Sequence, residues 1–327
     1  MAVYRHQIGA IEAVEHSTFY KDVVQGLSST PKFLQSKYFY DERGDDLFQQ
    51  IMQLPEYYLT RSELEIFSMQ TKALADVVSR QFKEFDILEL GAGDASKSTF
   101  LLRYLFQSGF DFSYFPIDIS QNIIQLLEEE MPKRIQGLKV QGLNGDYFDM
   151  IRKSYQVSGR RKVVLFLGST VGNYTPENAE RFLLMLNNQL KTDDLVFIGF
   201  DLKKNPKKIL AAYNDRLQVT KAFNLNLLLR INRELSGNFD ITCFDHFPTY
   251  DPITGACKSY LISLENQEVQ IDTERFLFHR NEPIWTELSQ KYTEQEINEM
   301  AVHTGFVPIQ NFLDCTQGFL NAVWRKR

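Results

Sequence analysis

The stretch Phe85-Asp-Ile-Leu-Glu-Leu-Gly-Ala-Gly-Asp-Ala-Ser-Lys97 constrains the chain more than any other. Ile87, Leu88 and Leu90 form a short apolar run that stops at Gly91, the pattern of a strand buried in a parallel sheet. Gly91 and Gly93 free the backbone for a tight turn in which no Cβ obstructs a ligand. Ser96 is placed to cap a helix starting there, so that several amide N–H groups face the turn. One Gly-x-Gly alone is equally compatible with an ordinary strand–turn–helix connection. Asp118, closing the next apolar strand after Tyr114-Phe-Pro-Ile117, moves the reading toward a nucleotide or nucleoside site.

Beyond this stretch the chain alternates. A helix over about 96–107, a strand over 113–118, a helix over 120–130 and a shorter strand near 138–143 follow in turn. Lys162-Val-Val-Leu-Phe-Leu-Gly168 reads as a second buried strand and Leu195-Val-Phe-Ile-Gly-Phe200 as a third. Between them Thr175 caps a helix with Pro176 in its first turn. Such alternation predicts a doubly wound, mostly parallel sheet with helices on both faces, which binds ligands beyond the carboxyl ends of its strands. Two C-terminal strands, about 307–313 and 319–324, read as an antiparallel hairpin closing the sheet edge, after a helix at about 293–304. Upstream, a helix from Ser17, a polar–aromatic loop over 37–44, a short helix ending before Pro55 and a helix opened by a Thr60–Glu63 capping box are expected. Residues 1–16 show no period. After Asp201 come two helices, from Pro206 and over about 219–235, and short strands near 257–264, 268–271 and 275–279. Residues 203–291 therefore read as an inserted second unit.

Composition removes several classes. A 327-residue chain with 43% hydrophobic and 24% charged residues can bury a sizeable core, and its net charge of −6 argues against nucleic acid or an anionic membrane as main partner. The basic pairs Arg160–Arg161, Lys203–Lys204 and Lys207–Lys208 read as solvated surface. Cys243, Cys257 and Cys315 are scattered without metal-ligand spacing, as are the five histidines, so no metal is expected and the thiols suit a reducing cytoplasm. No run approaches the roughly 20 apolar residues of a membrane span, and the charged first 15 residues do not resemble a signal peptide. The expectation is a cytoplasmic protein acting on a small molecule, without nucleic acid or membrane, and monomeric.

The strand ends carry the candidate chemistry. Asp118 can accept both hydroxyls of a ribose, Ser120 being the better helix cap. Asp146-Tyr147 offers an acceptor for an adenine amino group and a ring to stack on it; a turn aspartate is the alternative. A dinucleotide fingerprint needs a third glycine where Ser96 stands, and Lys97, one step into the helix, suits a single carboxylate such as that of S-adenosylmethionine's methionine moiety. With the terminal hairpin, this favours a methyl donor over a nicotinamide dinucleotide. Gly168-Ser-Thr-Val-Gly-Asn173 follows the 162–168 strand, and Asn173 has both a donor and an acceptor to orient an amine. Tyr38, Tyr40, Tyr57 and Tyr58 supply hydroxyls and π faces that could surround a cation, or simply pack. In Trp285-Thr-Glu-Leu-Ser289, Glu287 and Ser289 share a face if this is a strand, and on the residues alone an exposed strand face is the preferred reading.

The longer motifs go further. Tyr38-Phe-Tyr-Asp41, Leu54-Pro-Glu-Tyr-Tyr58, Glu89-Leu-Gly-Ala-Gly93, Phe166-Leu-Gly-Ser-Thr-Val-Gly-Asn173, and Ala222-Phe-Asn-Leu-Asn226 with Asn232-Arg-Glu-Leu235 resemble the histidine-specific methyltransferase family of ergothioneine biosynthesis, over nearly the whole chain. The resemblance implies a class I methyltransferase core, residues 63–202 and 292–327, and a smaller α+β substrate lobe, residues 1–62 and 203–291. It implies that S-adenosylmethionine is held by Gly91, Gly93, Lys97, Asp118, Asp146 and Tyr147, with Gly168 and Thr170 nearby. It places the substrate's amine and carboxylate at Asn173, Tyr57 and Tyr213, with Tyr40 lining the cavity, and an imidazole at Glu287 and Ser289, replacing the exposed-face reading. Ser259 stands where characterised members carry a methionine beside the imidazole, a change that enlarges or polarises the pocket. The reaction so implied is methylation of the α-amine of L-histidine, up to the trimethylated betaine hercynine. Other aromatic amino acids, histidine-derived metabolites, or a non-catalytic role in binding S-adenosylmethionine are the alternatives.

Overall fold

The computed structural model describes residues 17–327. What was read from residues 1–16, His6 and His16 included, lies outside the described residues. Ser17 accepts the N–H of Tyr20 and caps α1 (Thr18–Ser28), which buries Phe19, Val23 and Leu27. A two-residue strand β1 (Lys32–Phe33) and a 3-10 turn (Ser36–Phe39) lead into α2 (Glu42–Gln53). The loop expected over 37–44 is thus partly helical: Asp41 accepts the N–H of Gly44 at 2.7 Å and caps α2. A Cβ on Gly44 would strike the Phe39 carbonyl, which accounts for the glycine.

Two helices, α3 (Tyr58–Met69) and α4 (Thr71–Gln81), replace the one expected from Thr60. Thr60 and Glu63 form no capping box, because the helix begins two residues earlier and Glu63 is fully buried. Then β2 (Glu84–Leu90), α5 (Ser98–Gln107), β3 (Asp111–Asp118) and α6 (Gln121–Arg134) follow. Ser120 caps α6 as expected, but Ser96 does not cap α5; its own N–H goes to Asp94 Oδ1 at 2.9 Å. The strand expected near 138–143 is split into β4 (Lys139–Val140) and β5 (Leu143–Asn144), which pair with different parts of β3. Next come α7 (Tyr147–Val157), β6 (Arg161–Phe166), α8 (Pro176–Gln189), capped by Thr175, and β7 (Leu195–Asp201). The chain continues with α9 (Pro206–Ala212), α10 (Val219–Leu235), β8 (Phe244–Tyr250), β9 (Ala256–Ser263), β10 (Gln267–Ile271), β11 (Glu274–Phe278) and β12 (Pro283–Gln290). It ends with α11 (Glu294–His303), opened by a Thr293–Glu296 capping box, β13 (Phe306–Leu313) and β14 (Phe319–Lys326).

The main sheet runs β13-β14-β7-β6-β2-β3-β4, with β5 also on β3. β7, β6, β2, β3 and β4 are parallel, and β14 lies antiparallel between β7 and β13. Strand side chains alternate between two apolar faces: Ile87, Val163, Leu165 and Phe197 on one, Leu88, Val164, Phe166 and Ile198 on the other. Burial on both faces explains why these strands read as continuous apolar runs. From β2 the chain moves one way to β3 and β4, then returns to place β6 on the other side, so the switch point lies at the carboxyl ends of β2 and β6.

A second sheet, β1-β12-β9-β8, and the pair β10-β11 pack with α1, α2 and α10 around their own apolar cluster, including Phe39, Phe223, Leu261, Phe278 and Ile284. β1 and β8 escape the sequence pattern. β1 has two residues, and Pro248 and His246 interrupt the alternation of β8. The pairing of β12 with β9 slips by one residue between Trp285 and Glu287, so Glu287 stands directly opposite Ser259. A bulge of this kind re-aims the side chains that follow it.

Candidate functional site

The switch point gathers the first group of expected residues. Gly91 and Gly93 adopt φ values of +66° and +53°, a region where a Cβ is strained. A Cβ on Gly91 would lie 2.8 Å from the Tyr147 hydroxyl, whereas one on Gly93 would meet nothing within 4 Å. The turn is therefore closed on one side by Tyr147 and open on the other. Asp118, half-buried at the end of β3, accepts the N–H of Ser120 at 2.9 Å, and burial raises its carboxyl against the pull of backbone N–H groups that include Gly93. Asp146 caps α7 through the N–H of Phe148 at 2.9 Å and remains exposed, and Tyr147 packs edge-on against Phe166 and Phe182.

Glu63, read from sequence as a capping residue, ties this region together. Its buried carboxylate accepts from Lys97 Nζ at 2.6 Å, from the Gly168 N–H at 2.7 Å and from Asn321 Nδ2 at 2.8 Å. Lys97 is thereby held between the β2 and β6 loops. A Cβ on Gly168 (φ +77°) would sit 3.6 Å from Lys97 Nζ and 3.5 Å from Thr170 Oγ1. An ammonium carries three hydrogens, so this one pair leaves Lys97 able to meet a further anionic group. Open backbone, a half-buried carboxylate, a ring and a tethered lysine together fit the ribose, base and carboxylate of S-adenosylmethionine.

A second cavity lies among α2, α9, α10 and β12, lined by Phe48, Ile51, Tyr57, Tyr213, Thr220, Phe223 and Glu287. Tyr57 and Tyr213 meet edge-to-face at 6.4 Å, and Tyr40, half exposed, sits edge-on to Phe48 and Phe223. Burial, then neighbouring charges including Glu287, holds the phenols of Tyr57 and Tyr213 well above their ordinary value, so both stay protonated donors at neutral pH. Ser259 donates to Glu287 Oε2 at 3.2 Å. Burial pushes the Glu287 carboxyl up to about 7, against the opposing pull of Ser259 and Lys291. Ser289 accepts from Tyr213 at 2.6 Å.

Asn173 does not line this cavity. It is exposed at the end of a 3-10 turn (Thr170–Asn173) whose Gly172 approaches the backbone of Gln290 so closely that a Cβ would sit 2.9 Å from its carbonyl oxygen. That turn joins the Gly168 loop to the strand bearing Glu287 and Ser289. The motif residues Asp41, Asn226 and Arg233 instead hold the lobe together, with Asn226 Nδ2 2.8 Å and Arg233 2.5 Å from Asp41.

Sequence reasoning also missed the ion cluster beneath the cavity. Asp201, at the carboxyl end of β7, pairs with Lys291 at 2.7 Å and with Lys204, and accepts the Tyr58 hydroxyl at 2.8 Å. Burial alone would raise the Asp201 carboxyl, but the two lysines hold it below its ordinary value. Lys204, read as solvated, is nearly buried, and burial lowers its ammonium to about 8 against the pull of Asp201. A lysine pair after a strand carries no signal of such burial. Among the described residues no group of His, Cys, Asp and Glu could hold a metal ion, and no helix is long and apolar enough to cross a membrane.

The chain is 31% identical over 305 residues to the histidine N-alpha-methyltransferase of Mycobacterium tuberculosis, covering 93% of each chain. It is 33% identical over 280 residues to the histidine N-alpha-methyltransferase of Mycolicibacterium smegmatis, covering 85% of each. It also matches 37% of the longer ergothioneine biosynthesis protein 1 of Schizosaccharomyces pombe at 28% identity, over 85% of this chain. The family model described as histidine-specific methyltransferase, SAM-dependent, matches residues 19–326, and the chain belongs to that family.

Proposed function

We propose that this enzyme methylates the α-amine of L-histidine and carries it to the trimethylated betaine. The observation that carries this reading is the cavity lined by Glu287, Tyr57 and Tyr213, with Ser259 bonded to Glu287 and Ser289 bonded to Tyr213 behind its wall. The two mycobacterial relatives, named histidine N-alpha-methyltransferases, support methylation of the α-amine of histidine.

In this reading residues 63–202 and 292–327 hold the donor, and residues 1–62 and 203–291 hold the acceptor; the separate sheet and apolar cluster of the second set support the division. Lys97 meets the donor's carboxylate, Asp118 its ribose, Asp146 and Tyr147 its adenine, and Gly91, Gly93, Gly168 and Thr170 keep the backbone close. S-adenosylmethionine supplies an electrophilic methyl group on its sulfonium. The chain's own task is positioning, which is worth several kcal/mol of a barrier of this kind. Tyr57 orients the unprotonated amine from the cavity wall and Asn173, outside that wall on the loop after Gly168, meets it from the donor side; Tyr213 takes the carboxylate, and Tyr40 faces the growing cation. Glu287 accepts the ring N–H and Ser289 meets the other nitrogen. No metal is needed for this displacement.

Ser259 favours a second reading in one respect: a small, polar side chain behind Glu287, where a methionine would be bulkier, suits a larger or more polar side chain than histidine's. The two readings part on Glu287. A site built to hydrogen-bond a ring N–H rejects analogues lacking it by orders of magnitude. Glu287→Ala should lower kcat/KM for histidine about 100-fold while changing turnover of phenylalanine or tryptophan far less. Equal losses on all three would sink the imidazole assignment.

A further inference from the structure

Glu287 reaches the cavity because β12 carries one residue more than the segment of β9 that it faces. The opposed pairs run Ile284–Leu261, Trp285–Tyr260, then Glu287–Ser259, Leu288–Lys258 and Ser289–Cys257, which leaves Thr286 as the extra residue. Thr286 and Glu287 both turn toward α10, Thr286 bonding to Asn224 and Glu287 lining the cavity beside Phe223. Lys291, paired with Asp201, anchors the chain just after the strand, so the extra residue is kept in β12 and only its place is free to change. One step later along the strand, Thr286 alone would oppose Ser259, and Glu287 would join Leu288 opposite Lys258 on the other face. There the carboxylate would meet an ammonium; where it stands, burial holds its carboxyl up to about 7. The place of the bulge runs against the electrostatic preference of Glu287 and has to be fastened.

Two contacts fasten it, one on each face. Inside, the Thr286 hydroxyl has a single hydrogen, directed at Asn224 Oδ1 2.8 Å away, with the Ser259 carbonyl oxygen also in reach at 3.1 Å. Asn224 Nδ2 donates in turn to the Thr220 carbonyl at 3.1 Å. Thr286, Asn224 and Ser259 are all buried, so an oxygen left unbonded among them is costly. Outside, β1 pairs with β12 only as far as Trp285, whose carbonyl takes the Leu34 N–H at 2.8 Å. Just past that point the Trp285 indole N–H donates to the Glu287 carbonyl at 2.8 Å and spans the bulge. Its ring lies on the face away from the cavity, opposite Tyr260 and 5.7 Å from Lys258 Nζ. Neither Trp285 nor Thr286 lines the cavity.

We propose that Thr286 and Trp285 are positioning residues that hold the bulge of β12 in place, keep Glu287 in the cavity wall and so set the preference for a ring that donates a hydrogen bond. This rests on the histidine reading above and deepens it. Selectivity then depends on where the extra residue sits as much as on the presence of a glutamate.

Two substitutions at one position separate this role from packing. Thr286→Val keeps the branched shape and loses the hydroxyl, whereas Thr286→Ser keeps the hydroxyl and loses a methyl. A packing role ranks valine above serine; the positioning role ranks serine above valine. Thr286→Val should lower kcat/KM for histidine about tenfold, chiefly through KM, and Thr286→Ser should stay within threefold of wild type. In a Glu287→Ala background the valine change should cost less than twofold, because the carboxylate it positions is gone. Trp285→Phe, which removes the indole N–H, is the second variant and should show the same dependence on Glu287. Binding of S-adenosylhomocysteine, followed by calorimetry and within twofold of wild type, reports that the donor site and fold persist. Valine at least as active as serine, equal losses with and without Glu287, or loss of donor binding in both Thr286→Val and Trp285→Phe would overturn the positioning role. Wild-type protein that turns over another amino acid but not histidine sinks the histidine reading. The cycle is then run on that amino acid, where coupling to Glu287 upholds the role of the bulge and additivity overturns it.

Discussion

Glu287, proposed to read the substrate's ring, also weighs on stability through its burial. A carboxyl raised to about 7 in the folded protein, against about 4.5 when unfolded, favours the protonated form on folding. Its cost to stability is absent below about pH 4.5, grows as the pH rises through about 7, and is constant above that. Glu287→Gln should therefore stabilise the ligand-free protein by about 3 kcal/mol at pH 8 and by under about 1 kcal/mol at pH 5. Thermal melts of variant and wild type at the two pH values check this, and a gain independent of pH would contradict it. Ser259 holds one oxygen of the same carboxylate and leaves the other for a ligand. Ser259→Ala should raise KM for histidine about fivefold, the worth of one hydrogen bond, with kcat nearly unchanged. The position of Ser259 beside Glu287 follows from strand register, which the family motifs anticipate and the local sequence does not.

At the scale of elements, the parallel strands were readable because both faces are buried and their composition leaves little choice. Where two local signals compete, sequence is a poorer guide. Thr60-x-x-Glu63 has the form of a capping box, yet Glu63 is drawn into the core by partners 34, 105 and 258 residues away. No window of ten residues contains that information. The same contacts make Glu63 the joint between the loops after β2 and β6. Glu63→Gln keeps its size but weakens the hold on Lys97 and the Gly168 N–H, both charge-assisted. The expected result is roughly tenfold weaker binding of S-adenosylhomocysteine with histidine KM little changed at saturating donor. Unaltered donor affinity in calorimetry would mean that the joint is purely structural.

The molecule joins a mostly parallel sheet, proposed to hold the methyl donor, to a second sheet whose strand β12 carries Glu287 and Ser289. The change of rhythm after Asp201 announces the second sheet, and the chain-wide motifs announce its partnership with the first. What could not be read was the fastening between them. Lys291 and Asp201 are ninety residues apart, charged, and wholly buried against each other, with Tyr58 and Lys204 completing the cluster. Burial of charge is set by tertiary neighbours and leaves no periodic trace. Through this pair, the carboxyl end of β7 is joined to the Tyr213 hydroxyl in the wall of the proposed acceptor cavity.

The central claim, that this arrangement selects the α-amine of histidine, has a direct test. Purified protein is incubated with S-adenosylmethionine and a panel of free amino acids, and mass spectrometry with fragmentation reads both the methylated species and the methylated nitrogen. Histidine should gain up to three methyl groups in succession, all on the α-nitrogen, with little gain on phenylalanine, tyrosine or tryptophan. Methyl gain on another amino acid with none on histidine, or methylation of the ring nitrogens, would contradict it.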